Sequence, residues 1–485
     1  MNTVSWSWHG SILLAGFIFL IQIAASTHIL RSKDDVRSAI SWIGLVWLAP
    51  IFGLLAYLLF GISRIQRRAR LSRQKRGLAP RTGTAQEPKG PTLAHSVPDS
   101  SEGLRAHARL AGKVSGSPLT EGNSISPMQG GRDAYDAMIA AIDAATKTIA
   151  LTSYIFQADQ AGRRFVAALT RAHERGVEIR VLVDAVGNLY DMKPVSHLLR
   201  RLGIPFALFN PARFSWRLAF FNLRTHRKIL IVDGKTGFTG GMNIRRQHLE
   251  GTDGKPSVRD THFGLKGPIV TRMAEAFADD WLFAMGEELP EKLWLPKVPP
   301  AETGITARAV ADGPDEPNRK ISTMMESALA SARSHVRIVS PYFLPGESLL
   351  AALKMAALRG VKIDILIPGT SNIRLFNIVI LTNIYPLVKA GCNLYLSNPP
   401  FDHTKLMTVD GCWALFGSSN WDARSLKLNF EFNIEAYDVA FAKKMEKWAD
   451  KKLEDSRQIM LDDLKAIPLY KRIVGRILWL ASPYL

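Results

Sequence analysis

The apolar positions of this chain fall into three regimes. Gly10 to Thr27 carries no charge, and after Arg37 no charge appears until Arg64. Both runs are long enough to cross a ~30 Å hydrocarbon layer at ~1.5 Å rise per residue, the first only just. Pro50 predicts a kink in the second helix, which a membrane protein tolerates, and Trp6, Trp8 and Trp42 stand where an interfacial aromatic belt belongs. No Lys or Arg precedes the first run and a second follows at once, which argues against a cleaved signal peptide. Residues 77 to about 127 are rich in Gly, Pro, Ser, Thr and Ala without apolar periodicity and read as a flexible linker.

Beyond the linker the pattern repeats itself. Phe165-Val166-Ala167-Ala168-Leu169 leads to Arg175-Gly176-Val177 and an apolar stretch ending at Val183; Leu349-Leu350-Ala351-Ala352-Leu353 leads to Arg359-Gly360-Val361 and a stretch ending at Ile367. Each is a helix closed by glycine and followed by a strand. A further strand precedes each helix, Ile149 to Phe156 with Ser153-Tyr154, and Val336 to Phe343 with Pro341-Tyr342. Strand, helix, strand is a parallel crossover unit, and two copies predict two similar α/β halves. The boundaries expected are 1–63 for two membrane helices, 64–127 for a basic juxtamembrane segment and linker, 128–300 for the first half and 301–485 for the second.

Charge adds direction. The net charge is +19, which favours anionic partners such as nucleic acid or anionic lipid. Arg64, Arg67, Arg68, Arg70, Arg73, Lys75 and Arg76 follow the second apolar run with no acid among them, whereas Arg31 to Arg37 is mixed in sign. The positive-inside rule then places the basic flank, and all that follows, in the cytoplasm, where anionic headgroups attract it. The only cysteines, Cys392 and Cys412, offer no disulfide framework and no zinc spacing; they fit a reducing compartment.

The chemistry lies in a motif that occurs twice. His226-Arg-Lys228-Ile-Leu-Ile-Val-Asp233 is followed by Thr239-Gly-Gly-Met-Asn243, and His403-Thr-Lys405-Leu-Met-Thr-Val-Asp410 by Phe416-Gly-Ser-Ser-Asn420. One such H-x-K-x4-D arises by chance in about 3% of chains of this length; two, with matched Gly and Asn, are not chance. Alternation puts His and Lys on one face. Facing copies would surround one phosphate with two imidazoles, with Lys228 and Lys405 balancing its charge and Asn243 and Asn420 donating to its oxygens. Two histidines permit double displacement, one attacking phosphorus and the other moving protons. A nucleophilic imidazole needs its second nitrogen held, and Asp260 and Glu431, at similar positions after each motif, are the candidates to orient the histidines. Asp233 and Asp410 belong to the motif but read as holders of the strand end. No metal-ligand spacing accompanies the motifs, so metal-independent chemistry without a cofactor is expected.

These motifs resemble those of the phospholipase D superfamily. The resemblance covers nearly the whole chain and is nearest to bacterial cardiolipin synthases, through the paired N-terminal apolar helices, Ser340-Pro-Tyr-Phe-Leu-Pro345, Asp422-Ala-Arg-Ser-Leu426, Leu428-Asn-Phe-Glu431 and the ending Leu480-Ala-Ser-Pro-Tyr-Leu485. It implies two phospholipase D-like halves, each a mixed sheet flanked by helices, related by pseudo-two-fold symmetry behind a transmembrane hairpin in the bacterial inner membrane. It also implies phosphatidyl transfer between two phosphatidylglycerol molecules through a phosphohistidine, with His226 as nucleophile, His403 as acid/base, Ser418 on the phosphate and glycerol released. The first copy departs from the family pattern in carrying Gly241 where the second has Ser418. Hydrolysis to phosphatidic acid, or transfer with phosphatidylethanolamine as co-substrate, uses the same residues. A nuclease is disfavoured, since the body shows no stripe of basic and aromatic residues, and an inactive scaffold would not keep both motifs. Lys471, Arg472 and Arg476, interleaved with Ile473, Val474, Ile477, Leu478, Trp479 and Leu480, read either as an interfacial amphipathic helix or as a helix packed on the body.

Overall fold

The computed structural model describes residues 3–33, 35–61, 102–190, 194–210, 224–249, 258–314, 319–370 and 374–480. The basic run 64–76, the linker up to 101 and the ending Ala481–Leu485 lie outside the described residues. The chain divides into two units, Met1–Arg67 and Arg68–Leu485.

In the first unit a helix spans Thr3–Ser32, and its segment Gly10–Ser32 is long and apolar enough to cross a membrane. The second apolar run is broken into Val36–Leu48 and Pro50–Ala56. Pro50 lacks the N–H that would continue the first of these and instead starts the second. By length alone, Val36–Leu48 falls short of the ~20 residues a straight span needs. The two runs pack on each other through Ile29, Ala39, Val46 and Tyr57. Polar contacts join them too: the Gln22 amide donates to Val46 O at 2.9 Å, and Tyr57 Oη lies 2.7 Å from His28 Nδ1.

Among the described residues the second unit is built on one 16-stranded sheet, fifteen strands in line and the short strand Arg224–Thr225 paired beside Asn429–Tyr437. The first half supplies β1 Thr120–Gln129, β2 Thr148–Ser153, β3 Glu178–Asp184, β4 Phe206–Phe209, β5 Ile229–Val232, β6 Thr236–Gly240 and β7 Thr261–Lys266. The second supplies β8 Ile305–Asp312, β9 His335–Val339, β10 Lys362–Pro368, β11 Asn393–Ser397, β12 Leu406–Val409, β13 Trp413–Gly417 and β14 Asn429–Tyr437. From the rim inwards the first half runs β4-β3-β2-β5-β6-β7-β1 and the second β11-β10-β9-β12-β13-β14-β8. The two orders are the same. β1 and β8 pair antiparallel, so the halves join into a continuous sheet, and β15 Ser456–Ile459 closes the rim beside β11.

The repeated crossover units owe their likeness to local chemistry. Gly176 and Gly360 adopt φ of 81° and 91° and end the helices Gln160–Glu174 and Glu347–Leu358. The next residues, Val177 and Val361, donate back to Ala172 O and Ala356 O at 3.1 Å each, the six-to-one bond of a Schellman cap. The arginine before each glycine has a matched task. Arg175 donates to Ile142 O and Ala145 O, and Arg359 to Leu329 O and Ala332 O, covering the carbonyl end of the preceding helix of its own half.

The linker expectation is corrected over residues 102–127. A helix spans Glu102–Ser115 and buries Leu104, His107, Ala108, Ala111, Gly112 and Ser115 against Lys320–Ser331. Apart from Leu104 its packed face is made of small residues and a histidine, so it lacks the large apolar periodicity that betrays a helix. His107 reaches Glu435 Oε2 at 3.2 Å, and the same buried carboxylate accepts from Arg308, Trp413 and Tyr437. Residues 120–127 belong to β1, whose small and polar side chains likewise hide a central strand.

Candidate active site

Both H-x-K segments are extended stretches leading into β5 and β12 rather than parts of those strands. Alternation still separates their side chains. Lys228 Nζ donates to His226 O at 2.6 Å and Lys405 Nζ to His403 O at 2.7 Å. The intervening Arg227 turns instead to Asp280 Oδ1 at 2.5 Å.

Each segment runs beside the other half of the molecule. His226 N donates to Phe430 O at 2.8 Å, and His403 N to Arg259 O at 2.7 Å. The carboxylates expected to orient the histidines therefore cross over. His226 Nδ1 lies 3.0 and 3.1 Å from the oxygens of Glu431, and His403 Nδ1 lies 2.9 Å from Asp260 Oδ2. Held in this way, each ring directs Nε2 to the remaining side. Both histidines and both lysines are buried, at 9% exposure or less.

Burial governs the electrostatics. It depresses the His226 imidazole to about 4, against the pull of Glu431, and drives His403 well below the ordinary range with the help of Lys405. Both rings are then neutral at pH 7, as a nucleophile requires. Burial also pulls Lys228 well down and Lys405 to about 8, opposed by Glu431 and Asp260 respectively. An anionic phosphodiester placed between them would favour the charged form of both.

The two carboxylates differ. Burial works to raise Glu431, but His226, Lys228 and Ser418 hold it below the usual range. Ser418 Oγ donates to Glu431 and accepts from Phe432 N at 2.9 Å, and Ser425 Oγ donates to Glu431 Oε1 at 2.6 Å. The expectation of Ser418 on the phosphate is thereby corrected: its single proton is committed to the carboxylate. Asp260 is pushed up to about 7 by burial, only partly offset by Lys405. The residue opposite it is Gly241, where a Cβ would sit 2.6 Å from both Asp260 oxygens. The missing serine leaves room that the Asp260 carboxylate fills.

Asn243 Oδ1 accepts from Ile155 N at 3.1 Å, which leaves donation to its amide nitrogen. Asn420 N donates to Ser425 Oγ at 2.9 Å, so this asparagine is tied to the same loop that serves Glu431. Asp233 and Asp410, expected to hold the strand ends, sit at the far ends of β5 and β12 from the histidines. Both adopt positive φ, 53° and 51°. Asp233 accepts backbone N–H groups of Thr146, Lys147 and Thr148, and Asp410 those of Arg333, Ser334 and His335.

Three site residues escaped the sequence reading. Tyr154 and Tyr342 set their ring edges against His226 and His403, at 5.3 and 6.2 Å between centroids; their matched places in the duplicated strands were the available signal. Ser425 lies in the stretch Asp422–Leu426, whose resemblance marked it without a role. Among the described residues no group of three or more His, Cys, Asp or Glu is arranged to hold a metal.

The comparisons with known proteins agree with this geometry. The family model described as cardiolipin synthase, phospholipase D-like domain, matches residues 138–281 and 325–453, and one described as phospholipase D-nuclease N-terminal matches residues 20–61. The chain is 33% identical to cardiolipin synthase A of Pseudomonas entomophila over 97% of this chain and 98% of that one. It is 27% identical to cardiolipin synthase 1 of Bacillus cereus over 98% and 93%. Among solved structures, phosphatidylserine synthase of Haemophilus influenzae aligns with a TM-score of 0.63 at 14% identity, over 78% of this chain and 100% of that one, a likeness of fold. With two matched motifs meeting in one buried site and relatives alike from end to end, the chain belongs to the cardiolipin synthase family of the phospholipase D superfamily.

Proposed function

We propose that this chain makes cardiolipin by transferring a phosphatidyl group from one phosphatidylglycerol to another. His226 Nε2 attacks phosphorus, and the P–O bond to the glycerol headgroup breaks. His403, which becomes cationic by taking up a proton as the anionic substrate binds, gives that oxygen the proton on Nε2, and glycerol leaves. The hydroxyl of a second phosphatidylglycerol returns a proton to His403 and attacks phosphorus, breaking the P–N bond and freeing His226. Lys228, Lys405, Asn243 and Asn420 stabilise the charge on the phosphoryl oxygens. Glu431 orients His226 and Asp260 orients His403.

One observation carries the division of labour: Glu431 is held ionised by His226, Lys228 and two serine hydroxyls, while Asp260 has no serine and is raised to about 7. An ionised Glu431 fixes the N–H of His226 and steadies the positive charge that forms on attack. Asp260 keeps its charge above about 7 and there supports the cationic form that His403 gains and loses.

Two apolar segments would anchor the chain in the bacterial inner membrane, with the catalytic unit on the cytoplasmic side. The uncharged runs and the basic flank Arg64–Arg76 support this orientation.

The test is the full chain in phosphatidylglycerol vesicles with a chelator, products identified by mass. Cardiolipin and free glycerol in equal amounts are expected. Phosphatidic acid instead of cardiolipin would replace the synthase by a hydrolase. H403Q should accumulate phosphatidyl-enzyme and H226Q should form none; the opposite result would exchange the two roles.

A further inference from the structure

The last described helix, Leu469–Leu480, lies on the helix Arg374–Asn383. Gly475 makes the closest approach and is buried, with Leu478 and Trp479 half buried on the same side. A Cβ on Gly475 would come within 2.3 Å of Thr382 Oγ1, so only glycine lets the helices meet there. This face answers to the reading of the segment as a helix packed on the body.

The other face is open. Leu469, Tyr470, Ile473, Val474, Ile477 and Leu480 are 42–73% exposed. At ~100° per residue they fill a continuous arc of roughly 140°. Arg472 and Arg476 border one side of that arc and Lys471 the other, and the helix contains no acid. Isolated exposed apolar side chains are ordinary; a continuous apolar stripe with a cationic rim marks an interaction surface.

We propose that this face docks the catalytic unit onto an anionic bilayer, as a membrane contact separate from the N-terminal apolar segment. Charge complementarity selects the occupant. A second copy packed face to face would oppose Lys471, Arg472 and Arg476 to themselves, since a two-fold interface is self-complementary. Anionic headgroups neutralise the rim while acyl chains take up the apolar arc. The place in the fold fits. The partner helix Arg374–Asn383 follows β10, which runs parallel to β9, and the segment leaving the same end of β9 carries Tyr342 to His403. Docking here brings the site end of the second half to the headgroups.

The test uses the full chain carrying Ile477→Cys or, as a control, Glu291→Cys, labelled with an environment-sensitive fluorophore. The native Cys392 and Cys412 are buried, which restricts labelling to the new thiol. In vesicles of phosphatidylglycerol and phosphatidylcholine, brominated lipid should quench the probe at 477 several-fold more than the probe at 291, and aqueous iodide less. Adding Ile473→Glu should bring quenching at 477 back to the level at 291. Equal quenching at both positions would overturn the proposal. So would probe-to-probe energy transfer at 477 without lipid quenching, which would assign the face to a second copy. Catalysis is not read, so the outcome is independent of whether the lipid product is cardiolipin.

Discussion

Gly241 shows how a single missing hydroxyl separates two otherwise matched histidines. Its hydrogen occupies the space beside Asp260 in which a Cβ would lie 2.6 Å from both oxygens. Alanine there must displace the carboxylate that orients His403. We expect G241A to lower kcat by about 10- to 100-fold with little change in KM, the usual cost of disturbing an outer-shell partner; unaltered turnover would mean that His403 does not depend on Asp260. The pH dependence of kcat/KM follows from the same residues. Below about 7 Asp260 gains a proton and ceases to be a charged acceptor for His403. Above about 8 Lys405 loses the charge that the proposed mechanism sets against the phosphate. A narrow bell between those values is expected, with K405R extending its alkaline side; a flat profile from pH 6 to 9 would contradict it. At this scale much was readable from sequence, because His, Lys and Asn stand at fixed spacing in both copies. The commitment of Ser418 to Glu431 was not, because a hydroxyl beside a phosphate-binding motif serves either partner equally well on paper.

At the scale of elements, the third member of the motif is a cap. Asp410 gathers three successive backbone N–H groups ahead of β9 and sits at a positive φ that Asp and Asn adopt more readily than Ala. D410A is expected to cost about 2 kcal/mol or more of stability, from lost charge-assisted bonds and backbone strain together. D410N should cost less, and each folded molecule should retain most of its turnover. Denaturant midpoints of the detergent-solubilised protein, beside activity per folded molecule, would show it; loss of turnover at full stability would return Asp410 to the chemistry. The sign of the linkage agrees. Despite burial, backbone donors keep the Asp410 pKa below its ordinary value, so its contribution is present above the unfolded value near 4 and lost as pH falls through the folded one. The repeated helix and strand were legible because Arg-Gly-Val states both a Schellman turn and an arginine reaching for carbonyls. The helix Glu102–Ser115 was illegible because alanine, glycine and serine pack closely without announcing an apolar stripe.

Across the whole molecule, one buried carboxylate ties distant parts of the chain together. Glu435 accepts from Arg308 on β8, Trp413 on β13 and Tyr437 on β14, and meets His107 of the helix Glu102–Ser115. E435A would strand Arg308 in the interior, at about 3–5 kcal/mol, and should release Glu102–Ser115 to proteolysis well before the sheet unfolds; unchanged protection of that helix would show that its small residues suffice. Two α/β halves were evident from the duplicated pattern. Their joining into one sheet was not, because β1 is written in small and polar residues, and nothing in linear spacing says which half supplies the carboxylate for which histidine. That crossed supply bears on descent. A lone ancestral repeat would hold a histidine without its acid and an acid without its histidine, and only a second copy could complete either pair. After fusion, a change in one repeat is read out in its twin: Glu431 answers for His226, and Gly241, through Asp260, for His403. Neither copy is free to drift alone, and inherited specialisation of the two histidines has to be written in the opposite halves of the gene.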